Sequence, residues 1–339
     1  SNSNSNSNPE SEYSCSHSGG YYLLLPFLKV YEKCTCVSNN SSLEGDTCIA
    51  RALHQLLAIV NELPVSSRKY EVVRSYAEKL MYENLEVGYA PLRLVNAAVL
   101  SAAFARALRQ LEVAAAEAGD GDEVDTGGDV VVKSGGGGFG FRRVVRTARY
   151  VGRAAWRRFM RRKTRLGGSA EKLAAELLWL AQKLAACGSA DEAVRQWASA
   201  SKLASMSLTN RLRLQGSLVK VSVYLFKQAA RMGSEDDEEG TMEELRKIKM
   251  KLLMSWLPFL CRSSIGTDAP ILSFNQKTEL EKVLGELIGS LKHEDEQEKV
   301  LSLWLHHFTH CPSSDWPNLH LYYDRWCTTS RKLLVLEGK

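Results

Sequence analysis

Apolar residues return every three to four positions along most of this chain, and the places where that rhythm stops divide it into elements. Ile49, Leu53, Leu56, Leu57 and Val60 mark one face of a helix that the pattern opens at Asp46, as N-cap, and closes at Pro64. Over 67–85 the apolar positions Val72, Tyr76, Leu80 and Met81 predict a second helix, ended by Gly88. A third, Ala- and Leu-rich, is predicted over 91–118. Pro91 stands at its first position, and its stripe runs through Leu94, Ala98, Ser101, Ala105, Leu108 and Leu111.

Residues 119–141 hold nine glycines and an acidic run, which predicts a flexible linker. Beyond it the 3.6-residue period resumes, in Leu173, Leu177, Leu180 and Leu184 and then in Ala193, Trp197, Ala200 and Leu203. Ser189 with Glu192, and Thr241 with Glu244, have the Ser/Thr-x-x-Glu form of a helix start. No stretch alternates as a half-buried strand would; 130–132 is too short to carry a sheet. The class expected is all-α, an irregular multi-helix bundle in two helical units, 46–118 and 142–333, joined by the Gly-rich acidic linker. The Ser/Asn-rich residues 1–45 are expected to be mostly disordered.

Composition narrows the classes. The 339 residues are 45% apolar and 24% charged, enough for a large core. The longest apolar runs, 21–30 and 252–261, are half of the roughly 20 residues a bilayer-crossing helix needs, so no transmembrane segment is expected. The opening residues lack the basic and apolar regions of a secretory signal. Eight cysteines scattered through the chain point to reduced thiols, so the expected location is cytoplasmic or nuclear.

Candidate chemistry is sparse. Gly135, Gly137 and Gly140 satisfy G-x-G-x-x-G literally, but no βαβ alternation surrounds them, so no cofactor is expected there. His306, His307, His310 and Cys311 fall within six residues, yet neither H-E-x-x-H nor a C-x-x-C partner accompanies them, and Leu303, Trp304 and Phe308 mark a packed helix; no metal is expected. No nucleophile stands in a G-x-S-x-G context. The expectation is a protein without catalytic residues or an evident small-molecule substrate.

One segment points towards a partner. Between Arg142 and Arg165 there are eleven Lys and Arg and no acid, while the whole chain carries only +5, so the other residues sum to about −6 (+5 minus +11). Projected at 100° per residue, Val144, Ala148, Val151, Ala155 and Phe159 form an apolar stripe with Trp156 beside it, and most of the arginines take the opposite half. The partner-binding residues expected are Arg146, Arg149, Arg153, Trp156, Arg157, Arg158, Arg161 and Arg162. The partner would be nucleic acid, an acidic membrane surface or a calmodulin-like protein.

The segments SSRKYEVVRSYAEKLMYENL and VNAAVLSAAFARALRQLE within 66–112, SADEAVRQWASASKLA (189–204) and LWLHHFTHCPSSDWPNLHLYYDRWC (303–327) resemble an uncharacterised plant helical family. That family is related to the C-terminal region of plant BTB/POZ-domain proteins, with a similar Trp, Cys-Pro and Trp-Cys ending. No BTB/POZ segment is visible in this chain, and the shared motifs are packing patterns. The resemblance implies a helical, non-enzymatic interaction or adaptor protein with an unknown protein partner, and binding of an anionic partner through 142–165 is the alternative.

Overall fold

The computed structural model describes residues 42–119, 170–210, 212–233, 239–263, 271–311 and 315–337. The predicted linker beyond Gly119, the glycine motif and the whole basic segment lie outside the described residues. The described residues form helices and no strand: α1 (Ser42–Glu62), α2 (Arg68–Glu86), α3 (Ala90–Gly119), α4 (Ala170–Ala186), α5 (Ala190–Ser199), α6 (Ser201–Ser207), α7 (Leu212–Ala230), α8 (Glu239–Arg262), α9 (Phe274–Gly289), α10 (Glu294–Thr309) and α11 (His320–Glu337). The chain divides after Ala52 into two units, and of the first only the opening half of α1 is described.

Local chemistry sets several boundaries. Ser67 Oγ accepts the Lys69 amide to cap α2, and Gly88 (φ 66°) turns the chain into α3 in a left-handed conformation that a Cβ would strain. Ser273 and Gln276 form a reciprocal capping box at α9. Two expected starts are displaced, and a third stands in place without its side-chain cap. α1 begins at Ser42, so Asp46 lies inside it; Thr241 lies inside α8, which opens at Glu239; and Ser189 precedes α5 without a side-chain cap, its partner Glu192 being drawn to α3 instead. A tertiary hydrogen bond has displaced a local one.

From Leu53 onward the chain forms one compact unit. α3 packs along α4, α4 along α7, and α8 lies against α5 and α10. The helices described on either side of 120–169 therefore share one core rather than forming two, a correction to the division at 119–141. The reason is physical: a polar, Gly-rich stretch interrupts the chain, while the apolar faces that flank it still have each other to cover. Leu100, Phe104 and Leu111 of α3 and Leu177 and Leu184 of α4 are fully buried. α3 is the one described helix long and apolar enough, by composition, to cross a membrane, and part of it is buried by helix packing.

Tryptophans anchor the second half of the core. Trp197 of α5 stacks on Trp256 of α8, ring centroids 4.1 Å apart and 9° from parallel, and Trp256 Nε1 donates to the Trp197 carbonyl at 2.8 Å. Trp304 of α10 donates to the Pro317 carbonyl at 2.8 Å, tying down the segment before α11. α11 then crosses α9 where Gly285 leaves room: a Cβ there would stand 1.9 Å from the Tyr322 ring.

Candidate interaction surface

The α2–α3 hairpin presents apolar side chains to water. Its inner face is closed in the usual way, with Tyr70, Val73, Ala77, Leu80 and Met81 of α2 and Leu92, Leu100 and Phe104 of α3 buried. Between the two helices Asn84 donates to Asn96 at 2.7 Å, and Asn96 donates to the Met81 carbonyl at 3.0 Å. These paired amides are buried, which only their mutual bonding makes tolerable. The outer side carries Tyr82, Val87, Tyr89 and Leu94, with Val87 and Leu94 each 69% exposed. Tyr82 also donates its hydroxyl to Glu86 of the same helix.

The hairpin is held on the rest of the unit by charged and polar links. Trp179 Nε1 of α4 donates to Glu78 at 2.6 Å, Lys183 approaches the same carboxylate at 3.4 Å, and Arg74 lies over the Trp179 ring. The Glu78 carboxyl is lowered by the bond from Trp179 and by Lys183 and Arg74, which together outweigh its partial burial. Deeper, Lys172 of α4 donates to the Val60 and Asn61 carbonyls at 3.2 and 2.8 Å and pairs with Glu176 at 3.1 Å, while Asn61 donates to the other Glu176 oxygen. Burial pushes the Glu176 carboxyl up, only partly offset by Lys172 and Asn61. Beside it Leu57, Ala103, Arg106 and Trp179 enclose a cavity of about 10 Å³, room for one water. On α5, Gln196 donates to both Glu192 and Ser101 Oγ, and Ser101 donates to Glu192. These polar groups, Lys172, Glu176 and Trp179 buried and the others half-buried, join one helix to another.

The sequence-predicted candidates fare differently. Arg146, Arg149, Arg153, Trp156, Arg157, Arg158, Arg161 and Arg162 lie outside the described residues. His306, His307 and His310 do come together at the end of α10, with the His306 and His310 rings 4.4 Å apart and His310 Nδ1 2.7 Å from the His306 carbonyl. Partial burial, together with His306, Arg262 and His310, holds the His307 imidazole below its usual range. No three His, Cys, Asp or Glu side chains among the described residues are placed to hold a metal ion. Sequence reasoning missed the exposed hairpin: Leu94 was assigned to the inward stripe, and Tyr82, Val87 and Tyr89 carried no periodic signal. No family model, no curated protein and no solved structure matches this chain.

Proposed function

We propose that this chain is a non-enzymatic protein–protein interaction or adaptor protein, and that the α2–α3 hairpin docks its partner. The observation that carries the reading is the exposure of Tyr82, Val87, Tyr89 and Leu94 on one hairpin whose inner face is already filled. Such side chains gain free energy only when something covers them, and the partner accordingly offers an apolar surface. The polar groups inside the unit support the same reading, since they bond helix to helix across α1–α4, α2–α3 and α3–α5. The resemblance to the helical region that follows BTB/POZ domains points the same way. The test replaces Tyr82, Val87 and Leu94 by Ser together. Thermal unfolding should be nearly unchanged, because all three are exposed, while proteins recovered with the wild-type chain from its native tissue should be lost. Equal recovery by the folded variant overturns the proposal.

A second reading rests on charge. Eleven basic residues without an acid over 142–165 favour an anionic partner, and a packing helix could have used Glu/Lys pairs instead. Replacing Arg153, Arg157, Arg158 and Arg161 by Gln should weaken binding to such a partner and flatten its salt dependence. Unchanged salt sensitivity sinks that reading.

A further inference from the structure

Away from the hairpin, the opening turns of α8 and the turn between α9 and α10 line an open hollow of about 470 Å³, within the roughly 300–1,000 Å³ range of small-molecule sites. Met242 and Leu245 supply apolar lining and Gly240 leaves the α8 side open, with nothing within 4 Å of where a Cβ would stand. One wall is fixed by ion pairs, with two carboxylates sharing one guanidinium. Arg246 grips Glu243 through two nitrogens and also pairs with Glu296, which holds the Glu243 carboxyl down at about 2. The remaining charged lining is mostly cationic. Lys249 stands one turn beyond Arg246, half-buried, and among the described residues nothing hydrogen-bonds or ion-pairs with its ammonium; Lys292 and the imidazole of His293, exposed on the facing turn, likewise have no such partner among the described residues. Burial without a counter-charge pushes the Lys249 ammonium down from its usual range. Among the described residues, the lining sets against these donors a single carboxylate outside the Arg246 clamp, that of Glu239.

An ammonium kept partly out of water without a partner costs free energy that an anion would recover. We propose that this cavity binds a small organic oxyanion on an apolar stem, with Lys249 and Lys292 holding the oxyanion and Met242 and Leu245 covering the stem. The site lies on different helices from the α2–α3 hairpin and stands independently of the partner-docking reading.

The probes are hexyl phosphate, hexanoate and inorganic phosphate, titrated into the full chain by calorimetry. The two hexyl probes differ only in the anion, so their ranking says whether phosphate monoester or carboxylate is preferred. Saturable binding is expected for at least one of them, and inorganic phosphate should bind more weakly for want of a stem. Lys249→Met should weaken binding roughly tenfold or more, the loss of one charge-assisted hydrogen bond, and Gly240→Phe should block the cavity. Lys251→Met, which alters a lysine bonded to Ser199 instead, should change nothing. Melting curves confirm that each variant is folded. Absence of saturable binding by both hexyl probes, or binding equally tight in folded Lys249→Met and Gly240→Phe, overturns the assignment; so does inorganic phosphate binding as tightly as hexyl phosphate.

Discussion

Gly285 and Gly289 sit one turn apart on α9 and should respond to alanine with opposite signs. A Cβ at Gly289 meets nothing within 4 Å, so Gly289→Ala should stabilise by about 0.4–1 kcal/mol through the lost freedom of the unfolded chain. At Gly285 the same methyl lands 1.9 Å from the Tyr322 ring. Helix propensity favours Ala by about 1 kcal/mol, but overpacking costs typically about 1–3 kcal/mol and here forces α11 off its seat, so the clash wins. Thermal unfolding of the two single variants checks both signs, and adding Tyr322→Ala to Gly285→Ala should recover part of the loss. Nothing in the sequence marks one glycine as different from the other. The phase of α3 was hidden in a similar way. Ala and Leu occur all round that helix, so a stripe through Leu94, Ala98 and Ser101 reads as well as the true one through Leu92, Asn96, Leu100 and Phe104. Asn96 is inside because Asn84 and the Met81 carbonyl satisfy it, a partnership no periodicity reveals.

Among elements, α1 and α4 are joined by chemistry that also makes stability depend on pH. Lys172 and Glu176 are 5% and 3% exposed, and Lys172 satisfies two carbonyls at the end of α1. Lys172→Met should cost about 3–5 kcal/mol, because it strands a buried carboxylate. Lys172→Met with Glu176→Leu should recover much of that, though not the part owed to the Val60 and Asn61 carbonyls. Glu176 is raised in the folded state, so its contribution to stability is fully present below the ordinary carboxylate range and is lost as pH rises through its folded pKa. Denaturant unfolding across pH should accordingly show the wild type losing stability relative to Glu176→Gln on that rise, then running parallel to it. Where strong apolar period was the signal, elements were legible: Leu173, Leu177, Leu180 and Leu184 of α4 are all buried, as are Trp197, Trp256 and Trp304. The boundaries were less so: Asp46 and Thr241 lie inside their helices, and at Ser189, where α5 does begin, Glu192 takes a tertiary partner in Ser101 that the capping form could not announce.

For the molecule as a whole, packing between α3 and α4 makes the two predicted units interdependent. A specific protease site introduced between residues 120 and 169 should, once cut, yield two fragments that co-elute on size exclusion and part only in denaturant. Fragments that separate under native conditions would restore the two-unit division. Fold class was plain from the helical period and the absence of strand alternation, yet the unity of the core was not. Chain composition reports where the backbone is interrupted, and only tertiary contact reports which faces cover one another. The hairpin surface was illegible for a related reason: exposure is a property of what remains after packing, and Val87 and Leu94 look like core residues until α3 is placed.

The contact between α3 and α4 also has a consequence in time. During synthesis, 67 residues separate the end of α3 at Gly119 from the end of α4 at Ala186. At roughly 5–20 residues per second, α3 emerges about 3–13 s before the helix that covers it is complete. Bringing together segments some fifty residues apart in the chain costs about 2 kcal/mol more than closing a separation of five. Leu100, Phe104 and Leu111, fully buried in the finished molecule, spend that interval in water. A nascent chain arrested before residue 170 should therefore be a better client for chaperones than the same chain released at full length.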